Sequence, residues 1–431
     1  MAWLRRDPVR DLTVRAVLFK GTRDLLPIYA LYGVLFAEHG LSTAQISLLL
    51  AIWSVTAFVL EVPSGAWADT VSRRGLLILS CVLQAACFAT WMSAPSFAGF
   101  AVGFLLWGAA GSLESGTFEA LIYDDLVARE KPSAYAAIMG WARGAQESTV
   151  LLAILAAAPL FALGGYALVG WVSVGVGIVH TLAALALPSA PVAISATAVD
   201  DLDDDPEPVG PHVKQVAVAP QPNSPSTTHG TSSRYLSMLK TGIAEALHVR
   251  RVRRGVLLGA LLYGVTAFDE YFGLLAISGG ASTSTSALLV GVTVAGSLIG
   301  SLLAGRTESL SSRTIAAALF LAGILFIAGA LAVGTSMIWI GFIGIGIAYG
   351  IDFNAEVVAG ARLQDAIEGP ARATVTSVSG LLSEIVALAV FAFVATATQY
   401  LSMSTTIALL GTVLLAAAML TPTWMPPRPA D

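Results

Sequence analysis

Long apolar runs, separated by short polar stretches, repeat along almost the entire chain. Each run is about 20 residues long, which is the length that an α-helix needs to cross a hydrocarbon core of roughly 30 Å. Apolar character sustained over this length indicates membrane-spanning helices. The pattern predicts twelve of them, named spans 1 to 12 in chain order, at residues 14–37, 44–63, 76–94, 98–122, 134–158, 164–187, 254–277, 285–304, 313–333, 336–358, 373–397 and 402–421.

The twelve runs fall into two groups of six, on either side of a long polar segment. We therefore predict an N-terminal six-helix bundle at residues 1–187 and a C-terminal six-helix bundle at residues 251–431. Residues 188–250 form a predicted cytoplasmic linker, disordered at first because it is rich in Pro, Ser, Thr and Asp. Its last part, residues 234–249, has helical apolar spacing followed by arginines, which predicts an amphipathic interfacial helix.

The composition agrees with an all-α integral membrane protein. The chain is 56% hydrophobic and 12% charged, with about half the charge of a soluble protein, and it contains 41 glycines. The two cysteines, Cys81 and Cys87, face different sides of one helix, which predicts small buried side chains rather than a disulfide or a metal pair. No metal or other cofactor is expected, and the net charge of −5 does not indicate a nucleic-acid partner.

Basic residues are confined to one set of loops. The N-terminal region, the loops after spans 2, 4, 8 and 10, and the central segment contain Lys or Arg, whereas the loops between them contain neither. Because cytoplasmic loops carry an excess of Lys and Arg, this asymmetry predicts that both termini are cytoplasmic.

Charged residues occur inside some spans and not in others. Spans 3, 6, 9 and 12 have no Asp, Glu, Lys or Arg in their interiors, so every third helix is suited to face lipid. A charge within a membrane costs on the order of 2.5–3.5 kcal/mol on insertion scales, so the other spans are expected to enclose a polar cavity. The charged positions within the spans include Lys20, Asp352 and Glu356. The remaining ones are the candidates for proton coupling or cavity lining: Arg23, Asp24, Glu61, Glu114, Glu119, Arg143, Glu147, Asp269, Glu270 and Glu384. The candidate aromatic residues of the cavity are Trp107, Tyr123, Trp141, Tyr263 and Tyr271.

Residues on two adjacent antiparallel helices lie at equal depth when their numbers average to the centre of the turn that joins the helices. This relation predicts an ion pair between Glu114 and Arg143 of spans 4 and 5. It predicts a second pair between Lys20 and Glu61 of spans 1 and 2. Arg143 and Glu147 are four residues apart, so a pair within span 5 is an alternative.

A short polar stretch between spans 2 and 3 has the spacing Gly65, Asp69, Arg73, Arg74 and Gly75. With the two groups of six spans and the long central loop, it resembles the loop 2–3 signature of the major facilitator superfamily. Residues 61–65 and 115–124 are similar to those of bacterial drug- and metabolite-type members. The resemblance implies a twelve-helix transporter of the bacterial inner membrane, in which Gly65, Asp69, Arg73 and Arg74 hold the cytoplasmic side shut while the cavity opens outward.

The same stretch has a physical interpretation. The Asp69 carboxylate is expected to meet the N-terminus of span 11, near Pro370 and Arg372, where unpaired N–H groups favour a negative charge by about 0.3–1 kcal/mol. Glycine at position 65 would allow a close approach of helices. In span 8, Gly296 and Gly300 form a GxxxG step, which predicts close packing of another helix.

The chain departs from many proton-coupled exporters of this superfamily at two places. Those exporters carry an arginine in span 4, four residues before a glycine, whereas here Phe104 precedes Gly108. The Gly-Pro signature that exporters often carry in span 5 is also missing. These departures weaken an export assignment without supporting uptake.

A secondary transporter driven by the proton gradient is the favoured function. The chain has no GxxxxGK[ST] nucleotide-binding motif, and carboxyl groups within the spans are able to load and unload protons as access alternates. Many acidic groups suit a small cationic or amphiphilic substrate, and we favour efflux by proton antiport. The alternative is a proton symporter that imports a sugar or another metabolite, and sodium is an alternative coupling ion. An enzyme is not expected, because the histidines are scattered, and the protein is expected to act as a monomer in the lipid bilayer.

Overall fold

The computed structural model describes residues 8–189, 249–335, 337–367 and 372–427. Within these ranges the regular structure is entirely helical. The predicted disordered linker and the predicted interfacial helix at 234–249 lie almost wholly in residues 190–248, outside the described residues.

Twelve membrane crossings are present in the described residues, as the hydrophobic pattern predicts. Ten helical segments are long and apolar enough to cross a membrane; one of them contains spans 5 and 6, and span 1 is broken into shorter helices. The helices are Pro8–Arg23 and Tyr32–Glu38 (span 1), Thr43–Thr70 (span 2), Arg73–Ser93 (span 3), Phe97–Glu114 and Thr117–Ala128 (span 4), Tyr135–Ala186 (spans 5 and 6), Arg250–Val265 and Phe272–Ser278 (span 7), Thr283–Thr307 (span 8), Ser312–Gly334 (span 9), Ile338–Ala366 (span 10), Arg372–Ala397 (span 11) and Met403–Trp424 (span 12).

Local chemistry sets several of these boundaries. A serine side chain caps the N-terminus of six helices by accepting a hydrogen bond from a first-turn N–H, which satisfies a donor that has no partner within the helix. These caps are Ser42, Ser72, Ser96, Ser282, Ser311 and Ser402. Spans 5 and 6 reverse direction at Gly164 and Gly165, where Gly165 has φ +60°, a conformation that glycine adopts without a Cβ clash.

Spans 1 and 7 are both broken near their middle. The first helix of span 1 ends at Arg23 and is followed by a 3₁₀ turn at Pro27–Ala30, and span 7 contains a 3₁₀ segment at Thr266–Tyr271. Charged candidates lie at these breaks in both halves, Asp24 in the first and Asp269 with Glu270 in the second. Irregular backbone within a membrane is tolerated where it is buried in protein or lines a cavity.

Glycines bring spans 8 and 10 into direct backbone contact. A Cβ added at Gly300 would lie 1.8 Å from the Gly350 carbonyl oxygen, and one added at Gly296 would lie 2.1 Å from the Gly346 carbonyl oxygen. The predicted close packing at the Gly296–Gly300 step is therefore confirmed. Its partner is a second step of the same kind, Gly346 and Gly350, so that neither helix has room for a side chain at the crossing.

The loops with Lys and Arg lie at one end of the bundle, called here the basic face. At the opposite end the two halves are in contact: Ser47 hydrogen bonds to Tyr271 at 2.7 Å, and Thr283 donates to Glu38 at 3.3 Å. Towards the basic face the helices separate, and a Cβ added at Gly65, Gly140 or Gly380 would meet nothing within 4 Å. The protein is thus closed at the opposite end and open towards the basic face. The expected close approach at Gly65 is absent from this conformation.

Candidate functional site: a central cavity and a buried charge network

A cavity of about 840 Å³ lies between the two halves. Its described lining comes from spans 2 and 5 of the first half and from spans 7, 8, 10 and 11 of the second. Spans 3, 6, 9 and 12 contribute none of these lining residues, which confirms that the helices without interior charges stand away from the cavity. The expectation that all the other spans enclose the cavity is wrong for spans 1 and 4, which carry charges but contribute none of the described lining residues, because their charges pair with one another within the first half.

The cavity lining is strongly acidic. Its described residues include one arginine, Arg143, and five carboxylates, which are Glu147, Asp269, Glu270, Glu356 and Glu384. Three of these carboxylates accept a hydrogen bond from a hydroxyl group of another span: Tyr349 donates to Asp269 at 2.6 Å, Tyr32 donates to Glu270, and Ser54 donates to Glu384. The last two bonds join the first half of the protein to the second.

The aromatic lining differs from the sequence prediction. Of the five candidates, Tyr263 lines the cavity. Trp107 stacks on Tyr29 at 5.2 Å within an aromatic cluster of spans 1 to 4, and Tyr123 packs edge-on against Tyr135 at 5.6 Å. Tyr271 is fully buried against Ser47, and Trp141 lies outside the described lining. The aromatic residues that line the cavity and were missed are Trp53, Tyr349, Phe353 and Phe391.

A second group of charges forms a network within the first half. Glu114 accepts hydrogen bonds from Lys20 at 2.8 Å and from Arg23 at 2.5 Å. The Asp24 carboxylate accepts hydrogen bonds from Arg23 at 3.1 Å and from Gln146 of span 5 at 2.5 Å. Lys20 also forms an ion pair with Glu119 at 3.6 Å. The network joins spans 1, 4 and 5 in a region removed from bulk water, where each charge needs a counter-charge or a hydrogen bond.

Both predicted inter-span ion pairs are wrong. Glu114 binds Lys20 and Arg23 of span 1, whereas Arg143 faces the central cavity. Glu61 accepts a hydrogen bond from Ser115 at 2.7 Å and does not meet Lys20. The alternative pair, Arg143 with Glu147, also does not form a salt bridge in the described residues, although both side chains line the cavity.

The basic residues of the loop 2–3 stretch make contacts within the first half. Arg73 is buried, donates to the Asp124 carboxylate of span 4 and lies 3.3 Å from the Ala68 carbonyl oxygen. Arg74 donates to the Leu185 carbonyl at the end of span 6. The stretch is almost entirely helical, because span 2 continues to Thr70 and span 3 begins at Arg73.

The predicted contact between Asp69 and the N-terminus of span 11 lies outside what the structure describes. The Asp69 side chain, Pro370 and the Arg372 side chain are not among the described parts. Among the described residues, no group of three or more His, Cys, Asp or Glu side chains is arranged to hold a metal ion.

Two six-span halves with broken helices and a polar cavity between them define a secondary transporter. The Major Facilitator Superfamily model matches residues 22–362, and the chain belongs to that superfamily. No curated protein sequence matches the chain.

Solved transporter structures share this fold at low sequence identity. The chain is similar to the nucleoside transporter NupG (14% identity, TM-score 0.60), covering 97% of this chain and 98% of that one. It is also similar to a D-xylose-proton symporter (14%, 0.63), covering 97% of each chain. A third similar structure is a bacterial homolog of the human lysosomal transporter Spinster in an inward-facing and occupied conformation (15%, 0.63), with 96% of this chain and 95% of that chain covered.

Proposed function

We propose that this secondary transporter exports a small organic cation, or a cationic amphiphile, in exchange for protons. The observation that supports the proposal is the charge of the central cavity, where five carboxylates face one arginine. Such a lining attracts a cation and is unsuited to an anion. Tyr263, Phe353 and Phe391 add aromatic surface on which a cation or an apolar body can rest.

Carboxylates also supply a reason for exchange. A carboxylate that has taken up a proton no longer offers a negative charge, so a proton and an organic cation compete for the same group. Competition of this kind favours alternate occupancy by the two ions, which is antiport. Export fits the energetics as well, because a membrane potential that is negative inside draws cations inward by about 2.3 kcal/mol per charge per 100 mV. Proton exchange supplies the energy needed to move a cation the other way.

The open side of the cavity fits the loading step of an exporter. The cavity opens towards the basic face, which the distribution of Lys and Arg predicts to be cytoplasmic. A cytoplasmic substrate therefore has access to Arg143, Glu147 and Glu356 in this conformation. After the halves rock about the cavity, the same groups would face the outside and exchange the cation for protons.

Proton symport of a neutral metabolite is the second candidate. It is favoured by the hydroxyl–carboxylate pairs Tyr349–Asp269 and Ser54–Glu384, since such pairs offer donors and acceptors to a sugar or a nucleoside. In this case the proton would bind together with the substrate and cross the membrane in the same direction. Addition of substrate outside would then make the external medium more alkaline, whereas antiport would make it more acidic.

The test is transport in proteoliposomes that contain the purified protein and a pH-sensitive dye. The cationic probe tetraphenylphosphonium is added outside the vesicles. If it enters in exchange for protons, the protons leave the vesicle interior and the external medium becomes more acidic. D-xylose and uridine test the symport alternative, and replacement of the proton gradient by a sodium gradient tests the coupling ion. The control variant is Asp11→Asn, which removes a carboxylate that pairs with Arg15 at 2.6 Å outside the cavity. A response to xylose or uridine with no response to the cation would contradict the proposal.

A further inference from the structure

Asp352 of span 10 has a carboxyl group without a protein partner. The residue has 0% of its surface exposed, and neither of its carboxyl oxygens forms a hydrogen bond within the described residues. The other buried acidic residues are different in this respect: for example, Glu114 binds two basic side chains, and Asp124 binds Arg73. Among the described acidic side chains, Asp352 is therefore the one that is completely buried and has no hydrogen bond or ion pair.

Apolar clusters lie on both sides of Asp352 along span 10. On the same helix, Ala348 belongs to a large hydrophobic cluster that includes Phe326 and Phe342. On its other side, Ala355 belongs to a second cluster, with Leu258 and Leu262. Asp352 lies between these two clusters, in a place where an ionised carboxylate would lose its hydration and gain nothing in return.

Spans 7, 8 and 9 pack against span 10, and their ionisable groups are few. Span 7 carries Tyr263, Asp269, Glu270 and Tyr271 beyond its N-terminal arginines, span 8 carries Arg306 and span 9 carries Arg313. Span 10 itself carries Tyr349, Glu356, Asp365 and Arg362, and the Arg362 guanidinium is bound to the Glu308 and Leu310 carbonyls. Span 12 has no ionisable side chain between Met403 and Trp424. None of these groups bonds to Asp352.

We propose that Asp352 is a proton-binding site of this transporter, occupied by a proton in the present conformation. A buried charge must be paired, and Asp352 has no partner among the described residues. A protonated Asp352 carries no charge, so it can remain buried without one. This inference rests on the proton-coupled transport proposed above and names a residue that holds the proton. The O–H bond is present while the site is sealed, and it breaks when the helices move and water or a neighbouring carboxylate accepts the proton.

Two residues connect Asp352 to the central cavity. Tyr349 lies three positions before it and donates to Asp269, and Glu356 lies four positions after it; both line the cavity. These spacings place all three side chains on one side of span 10. A shift of span 10 against span 7 would thus expose Asp352 first to the groups that bind the substrate. Because the glycine crossing locks span 10 to span 8, the two helices would move together.

The first test detects the proton directly and needs no substrate. The infrared carbonyl absorption of protonated carboxylic acids is measured at neutral pH on the full-length protein in lipid, in the wild type and in Asp352→Asn. We expect the variant to lose intensity equivalent to one protonated carboxyl. Asp11→Asn, which removes an ion-paired carboxylate, is expected to leave the absorption unchanged. An unchanged absorption in Asp352→Asn would overturn the proposal.

The second test asks whether this proton is coupled to transport. Accumulation of tetraphenylphosphonium driven by a pH gradient is compared with counterflow, which exchanges labelled for unlabelled cation without net proton movement. We expect Asp352→Asn to lose the driven accumulation and to keep counterflow, and Asp352→Glu to keep both. Retention of driven accumulation by Asp352→Asn would overturn the coupling role, and so would loss of counterflow in both variants. If the wild type transports no tetraphenylphosphonium, the proposed substrate class fails, while the infrared result still decides whether Asp352 holds a proton.

Discussion

Arg23 of span 1 lies 2.5 Å from Glu114 of span 4, through its Nε atom and the Oε2 atom of the glutamate. Lys20 occupies the other carboxylate oxygen of Glu114 at 2.8 Å. One buried carboxylate thus pairs with two basic residues of one helix. This arrangement gives Glu114 a structural role that its position in the sequence did not reveal.

Glu114→Gln is expected to destabilise the protein, because the substitution leaves Lys20 and Arg23 without their main counter-charge. Breaking a buried pair in this way typically costs about 3–5 kcal/mol. Glu119→Gln is the matched control: Glu119 has 38% of its side chain exposed and lies 3.6 Å from Lys20, so we expect a loss below about 1 kcal/mol. The measurement is the free energy of unfolding by denaturing detergent. Equal losses in the two variants would contradict this account of the network.

Asp124→Asn is expected to destabilise the junction of spans 3 and 4. The substitution removes a counter-charge of Arg73, which is 8% exposed, and the expected cost is about 3 kcal/mol. Arg73→Lys should give a smaller loss, because the lysine keeps the charge but has fewer donors for Asp124 and the Ala68 carbonyl. A double-mutant cycle with thermal unfolding checks the coupling between the two residues. Additive effects would show that the Arg73–Asp124 contact contributes nothing specific.

Gly300→Ala is expected to push spans 8 and 10 apart, because its Cβ would lie 1.8 Å from the Gly350 carbonyl oxygen. Overpacking of this kind costs about 1–3 kcal/mol or more. Gly305→Ala, on the same helix, is the control, since a Cβ there meets nothing within 4 Å. Replacing a helical glycine with alanine at an open site is neutral or stabilising by up to about 1 kcal/mol. Thermal unfolding midpoints that fall equally in both variants would contradict the close crossing.

Gly140→Cys is expected to react rapidly with a membrane-impermeant maleimide, because the site is open towards the basic face. The native cysteines, Cys81 and Cys87, are buried and should remain unlabelled. Gly33→Cys is the control, since its Cβ would lie 3.6 Å from the Glu270 carbonyl oxygen at the closed end. Labelling in inside-out vesicles, and not in right-side-out vesicles, is expected from the predicted cytoplasmic location of the basic face. The reverse pattern would invert the topology.

Much of the architecture was predictable from the sequence. The hydrophobic runs gave twelve crossings, because the thickness of the bilayer fixes the length of each helix. The absence of interior charges from spans 3, 6, 9 and 12 separated them from the cavity-lining helices, because a charge in lipid is costly. The Gly296–Gly300 step indicated a close crossing, and the spacing from Gly65 to Arg74 indicated the superfamily.

The tertiary structure decided which charged and aromatic side chains meet. Residue numbers placed Glu114 and Arg143 at similar depths, but depth leaves the rotation of each helix about its axis undetermined. The actual rotations direct Glu114 towards Lys20 and Arg23 and direct Arg143 into the cavity. The same rotations place Tyr263 in the cavity and Trp107 in an aromatic cluster. The sequence by itself determined the number, length and charge of the helices, since each depends on a single helix and its solvent. The positions of Glu114, Arg143 and Asp352 depend on contacts between helices, which only their packing defines.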